Sequence, residues 1–331
     1  MNDIDTARPG FWLKTTVFVA AAAALLYWAP PPVALAAGIL YTLLLGHPFA
    51  RWNRPLTQRL LQACVVLLGF GMDLPAVLRL GLHGSVFAAA TITATLLLGA
   101  GLGRLLKLER RTTLLISAGT AICGGSAIAA VSSVIAATET EIAVSIGTVF
   151  LLNAAALGLF PAAGHWLHLT QGQFGLWAGV AIHDISSVVG AGMNYGGSAL
   201  ATATAVKLSR TLWIAPLTFA LALGMAYNRR AANDHATPRR RPVKATVPWF
   251  IGFFLLASLL RSCVPGAAFW SPPLLELARH GMILVLFLIG TSLSIHALRT
   301  AGWRAGAAGL LLWLLVSTLS LLAICTLKLA A

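Results

Sequence analysis

The sequence predicts an all-α polytopic membrane protein of about eleven transmembrane helices, and three observations carry that prediction. Of its 331 residues, 58% are hydrophobic and only 10% charged, whereas a soluble globular domain carries about 25% charged residues. The mean hydropathy is +0.85, and a soluble fold of this size has no interior able to hide so much apolar surface. The apolar residues also gather in runs close to the ~20 residues that cross a bilayer core.

Bounded by turn and charge signals, the runs fall at 11–29, 33–48, 58–78, 84–106, 113–137, 140–166, 173–193, 199–227, 247–263, 274–296 and 303–327. The second is short enough to be tilted or partly re-entrant. Pro30-Pro31-Pro32 forms the turn between the first two. Ala34-Leu35-Ala36 imitates a signal-peptide cleavage site, but Asp3 and Asp5 spoil the positive amino-terminal region that such a peptide needs.

With the amino terminus in the cytoplasm, alternation places seventeen Lys and Arg residues inside and four (Arg79, Arg261, Arg279 and Lys328) outside, as the positive-inside rule requires. Glu139 and Glu141 then fall outside, and eleven spans leave the carboxyl terminus outside. The chain divides into residues 1–227 with spans one to eight, a basic cytoplasmic linker at 228–246 containing Arg239-Arg240-Arg241, and residues 247–331 with spans nine to eleven. The linker's composition suits a solvated segment held near anionic headgroups. The excess of 23 Lys and Arg over 9 Asp and Glu lies in short clusters between apolar runs and forms no face for nucleic acid.

An ionisable group inside a span costs about 2.5–3.5 kcal/mol on insertion scales and marks a functional site by default. His183 and Asp184 in the seventh run, Lys207 and Arg210 in the eighth, and Asp73 in the third are such groups, with Glu276, His280 and His296 nearer the ends of the tenth. Lys207 and Arg210, three apart, share a helix face. Two cations against one deep acid favour an anionic ligand, and the competing expectation is a fixed pair of Asp184 with one of them. His183 is either a proton carrier or a hydrogen-bonded packing residue. No other ligand stands at metal spacing beside it. The four cysteines, Cys64, Cys123, Cys263 and Cys325, form no CxxC pair. No GxxxxGK[ST], GxSxG or HExxH pattern occurs, so neither enzyme chemistry nor a cofactor or metal is expected.

Gly119-Thr120-Ala121-Ile122-Cys123-Gly124-Gly125-Ser126 places three glycines inside an apolar span. It serves either for close helix packing or as a helix break, whose following half-helix would offer free N–H groups and a positive dipole end to an anion. Gly190-Ala191-Gly192 and Gly196-Gly197 are positioned to end or kink the seventh helix. Two internal echoes accompany these features. Ala121–Ile128 is shadowed sixty residues later by Ala181–Val188, and Leu67-Leu68-Gly69 through Gly81 by Leu288-Ile289-Gly290 through Gly302. The second pair joins spans of opposite parity, which suits an inverted repeat.

GTAICGGSAIAA at 119–130, GLWAGVAIHDISSVVGAG at 175–192, VKLSRTLWIAP at 206–216 and PWF at 248–250 resemble, in order and spacing, the bacterial YeiH-type sulfate exporter family. The resemblance runs over nearly the whole chain. It implies an NhaA-like or bile-acid-transporter-like fold with two inverted repeats and broken helices crossing at mid-membrane, placed in the bacterial inner membrane with a periplasmic carboxyl terminus. Where the family pattern continues Ile-His-Asp with Thr-Ala-Gln, this chain has Ile185-Ser186-Ser187, which alters the hydrogen bonding at that point. The expected function is alternating-access transport of a small anion such as sulfate or an organic sulfonate, coupled to a proton or sodium, in a monomer or homodimer. Cys123, Gly124, Gly125, Ser126, Lys207 and Arg210 would bind the anion, and His183, Asp184, Ser186 and Ser187 would couple or gate. The alternatives are a cation/proton antiporter using Asp184 and Lys207, and a membrane protein that transports nothing.

Overall fold

The computed structural model describes residues 11–46, 49–72, 74–231, 249–264, 266–292 and 303–327. These residues are helical almost throughout. The Pro-rich turn separates α1 (Phe11–Trp28) from α2 (Pro31–Leu45), with proline at the start of α2 where its missing N–H costs nothing. Next come α3 (Ala50–Leu68), a 3₁₀ turn at Gly69–Gly71 and α4 (Leu74–Leu105). The third run, expected at 58–78, therefore stops ten residues early. Gly69 lies so close to the Phe254 carbonyl that a Cβ would stand 2.6 Å from its oxygen, and Ser258 donates to the Gly69 carbonyl at 3.1 Å. The chain turns there, and the residues after Asp73 join the fourth run in one long helix.

The remaining elements are α5 (Arg110–Ala121), α6 (Gly125–Ile135), α7 (Glu139–Trp166), α8 (Gln171–Ala181), α9 (Ile185–Tyr195), α10 (Gly197–Thr211), α11 (Ile214–Ala231), α12 (Trp249–Cys263), α13 (Ala267–Ser292) and α14 (Trp303–Thr326). Five stretches among the described residues are long and apolar enough to cross a membrane: 87–105, 139–166, 197–225, 269–292 and 303–326. The expected linker begins as helix, since α11 runs to Ala231, and residues 232–246 lie outside the described residues, as do Asp73, His296 and Lys328.

The helices sort into two groups, each drawing on both sides of the 228–246 stretch. In one, α13 packs on α2 and α3, and α12 packs on α3. Gly38 of α2 and Gly290 of α13 meet backbone to backbone, and Asn53 of α3 donates to the Leu288 carbonyl of α13 at 2.9 Å. In the other, α4, α5, α7, α8, α10 and α14 pack together.

The fifth and seventh expected spans are each broken in two and fold back on themselves. Leu115 and Val131 belong to one buried cluster together with Ile135, and a Cβ on Gly119 would stand 3.0 Å from the Ile128 side chain, so α6 runs back along α5. Glu141, at the start of α7, sits beside Glu109 and within reach of the Arg111 charge, which fixes both ends of this first hairpin at one end of the molecule. The second hairpin, α8–α9, enters from the opposite end. Tyr195 stacks on Phe174 with ring centroids 3.7 Å apart and donates to the Leu169 carbonyl at 2.6 Å, so α9 finishes beside the start of α8. Arms of eleven or twelve residues reach about 17 Å at 1.5 Å per residue, roughly the middle of a ~30 Å core. Each hairpin is followed by a long helical stretch, α7 or α10–α11, that continues past its tip. Glu139 and Glu141 therefore lie at the same end as Arg110 and Arg111, opposite to the placement that simple alternation requires.

Candidate functional site

The two hairpin tips meet. A Cβ built on Gly124, in the first tip, would contact the backbone carbonyl of His183, in the second, at 3.6 Å. The sixty-residue echo falls on this junction in register. α5 ends at Ala121 and α8 at Ala181, and α6 starts at Gly125 and α9 at Ile185. The glycine-rich segment is thus a break, with Gly124 at φ +61°, a backbone region that side chains disfavour. His183 and Asp184 also stand outside regular helix, whereas Gly190 and Gly192 lie within α9 and bring it close to Leu157 and Leu200. Gly196 ends the helix, as the sequence suggests.

The second tip carries its own caps. Asp184 accepts from the Ser186 N–H at 3.1 Å and from the Ser186 hydroxyl, occupying the positive amino end of α9. Asn153 of α7 accepts from the N–H of His183 at 3.1 Å and of Asp184 at 3.2 Å. The Trp313 indole donates to the Ala181 carbonyl at 3.1 Å.

The first tip is held from its other side. Lys207, with 0% exposure, donates through Nζ to the Ile122 carbonyl at 3.1 Å. Arg210, equally buried, donates to the Ala121 carbonyl and, at 2.7 Å, to the Thr91 hydroxyl of α4. Both cations therefore serve the negative carboxyl end of α5, where the helix dipole favours positive charge. Among the described residues neither forms an ion pair with Asp184, so the expected fixed pair is not made, and in this conformation both cations bond the carbonyl end of α5. They share a helix face, as their spacing requires. Gly124, just before α6, has no side chain to cap it, and the Cys123 thiol meets the Ala127 N–H in the first turn. Cys123 and Gly124 are buried there, Gly125 is half-buried, and Ser126 faces outward.

Buried polar atoms without hydrogen-bond partners surround the junction: both ring nitrogens of His183, Asn153 Nδ2, Thr120 Oγ1 and Arg210 Nε. The backbone of Val149 lies alongside the His183 ring. Ser186 and Ser187 are buried, and only Ser186 reaches Asp184. Among the described residues no group of three metal-ligating side chains exists. Two site residues escaped the sequence reading, Asn153 and Thr91. Both are uncharged, so a search for ionisable groups passes them over; a lone Asn in an apolar span was the available signal.

Comparison with known proteins places the chain in a family. The family described as Conserved hypothetical protein 698 matches residues 16–312. A UPF0324 membrane protein of Porphyromonas gingivalis is 48% identical over 292 residues, covering 88% of this chain and 85% of that one. Another, from Bacteroides thetaiotaomicron, is 43% identical over 86% of this chain and 83% of its own length. A third, from Bdellovibrio bacteriovorus, is 45% identical over 88% and 87%. No solved structure matches. The chain belongs to the Conserved hypothetical protein 698 family, the YeiH-type group whose motifs it carries, and it is a membrane protein with several apolar helices.

Proposed function

We propose that this member of the family is a secondary transporter of a small anion, working by alternating access at the junction of its two hairpin tips. The observation that carries the reading is the amino end of α6, which has no oxygen cap from Gly124 and faces the junction while Lys207 and Arg210 hold the carbonyl side of the same break. Irregular backbone at membrane depth is tolerated where it is buried in protein or lines a cavity, and half-helix amino ends at mid-membrane are a recurring way to hold an anion. The cations reach a ligand there through charge, with the tip backbone between. With Asp184 already spent on α9, the local surplus is positive.

The two hairpins differ in burial. α9 is buried along Ile185–Gly192, whereas α6 turns Ser126, Ala129 and Ser133 outward. Small and polar residues suit a crevice better than lipid tails, so we read this conformation as open along α6 and sealed along α9. Under the positive-inside assignment the α5 end is cytoplasmic, and the state faces inward. The sixty-residue register, with hairpins entering from opposite ends, supports an inverted repeat. So does the pairing of Gly69 with α12 and Gly290 with α2. His183, buried at the junction beside the Val149 backbone, is the group we assign to coupling or gating by a proton.

Proteoliposome flux tests the reading. Uptake of sulfate or a small organic sulfonate, lost on Gly124→Leu with insertion retained, is the expected result. A cation-dependent pH change without anion flux would favour antiport through Asp184, the half-buried carboxylate at the tips. Neither flux, over a panel of oxyanions, sulfonates and carboxylates, would overturn transport.

A further inference from the structure

A separate feature lies at the α5 end, away from the tips. A narrow groove opens between the last turns of α4, the start of α5 and the start of α14. Gly99, Leu102, Leu108, Ile116, Ala308 and Leu312 line it, so its walls are largely apolar. Its depth comes from glycines: a Cβ on Gly99 or Gly103 would collide with Ser117 or Thr113 of α5. Inside the cleft the Thr113 hydroxyl oxygen is buried with no hydrogen-bond partner.

The rim is cationic. Arg104 adjoins Gly103 and Lys107 adjoins Leu108, and Arg110 stands one turn before Thr113. On α14, Arg304 precedes Ala308 by one turn on the same helix face. These four side chains and Arg111 are exposed. Against them stand Glu109 and Glu139, both exposed, and Glu141, whose carboxylate is bonded to Thr138. The exposed Trp303 carries Arg304 over its ring at 5.7 Å, and indoles concentrate at membrane–water interfaces.

We propose that this cleft binds an anionic phospholipid, one acyl chain lying along the apolar wall and the phosphate headgroup held by Arg104, Lys107, Arg110 and Arg304. Charge complementarity selects the occupant, because basic pockets between transmembrane helices on the cytoplasmic side suit anionic headgroups. An apolar wall beneath the cations distinguishes a lipid from a free anion. The bound lipid would join α4, α5 and α14 where the first hairpin enters the membrane.

The test titrates the purified full chain in detergent with phosphatidylglycerol or phosphatidylcholine and counts bound lipids by native mass spectrometry. Phosphatidylglycerol should bind and phosphatidylcholine should not. Arg104→Gln and Arg304→Gln, on different helices, should each weaken binding about fivefold. Arg239→Gln with Arg240→Gln, which removes two charges from the 228–246 stretch, should leave it unchanged. Equal retention of the two lipids, or equal weakening by the Arg239 and Arg240 changes, would overturn the site. Displacement of phosphatidylglycerol by inorganic phosphate would overturn it in favour of a free-anion site.

Discussion

The two hairpin tips are built on the same sixty-residue register and finished differently. The second is closed by its own Asp184 and by two other helices: Asp184 caps α9, Asn153 of α7 accepts from two tip N–H groups, and Trp313 of α14 donates to the Ala181 carbonyl. The first has its carbonyls taken by Lys207 and Arg210, while at the amino end of α6 Gly124 supplies no cap and only the Cys123 thiol meets the Ala127 N–H. Each tip is braced by the long helix that follows the other hairpin, α7 for the second and α10 for the first. Similar backbones thus give one amino end capped by a carboxylate and one without an oxygen cap, and the neighbouring helices supply different polar groups to each.

The largest test of that contrast is function at the open tip. Gly124→Leu should abolish anion flux, because it forces a side chain into a left-handed backbone position and fills the space before the α6 N–H groups. Full flux with normal expression would make the tip a packing surface only. Thiol accessibility comes next. In a background lacking Cys263 and Cys325, which are exposed, Ser133→Cys should react with a membrane-impermeant reagent at least tenfold faster than Val189→Cys. Equal rates would remove the difference in access between the hairpins.

Stability effects are smaller. Lys207→Met leaves the Ile122 carbonyl buried without its donor, at a cost of about 1–3 kcal/mol. Adding Asp184→Asn should not rescue it, since no ion pair joins the two, and coupling in a double-mutant thermal-unfolding cycle should stay within about 0.5 kcal/mol. A strong rescue would restore the fixed-pair account. Asn153→Ala frees two tip N–H groups and should also cost about 1–3 kcal/mol, read by the same melts; a neutral result would mean that the second tip is held by its own cap. Ser186→Ala, which removes one of the two bonds to Asp184, should cost about 0.5–1.5 kcal/mol, and a larger loss would show that the hydroxyl, more than the backbone, fixes the carboxylate.

The helical membrane class, the break at Gly124, the shared face of Lys207 and Arg210 and the family were legible in the sequence, because apolar run length, glycine backbone freedom and motif spacing are local properties. The reversals were not. Between Arg111 and Lys207 the chain has no lysine or arginine, so the charge rule is silent over the stretch where both hairpins turn back. Two reversals also cancel, leaving every basic cluster on the side that simple alternation gives it. The apolar runs at 113–137 and 173–193 are long enough to cross, and whether each crosses or folds back depends on contacts such as Leu115 with Val131 and Phe174 with Tyr195. The sequence by itself determined the helical membrane class and offered Gly119–Ser126 as a place where the backbone can break; it did not locate the second break, at 182–184. Only the tertiary structure decided that Lys207 and Arg210 bond the carbonyl end of α5 and that Asp184 caps α9. Buried polar groups take whichever partner the packing brings within about 3 Å, and that partner came from another helix for the cations and from two residues along for the acid.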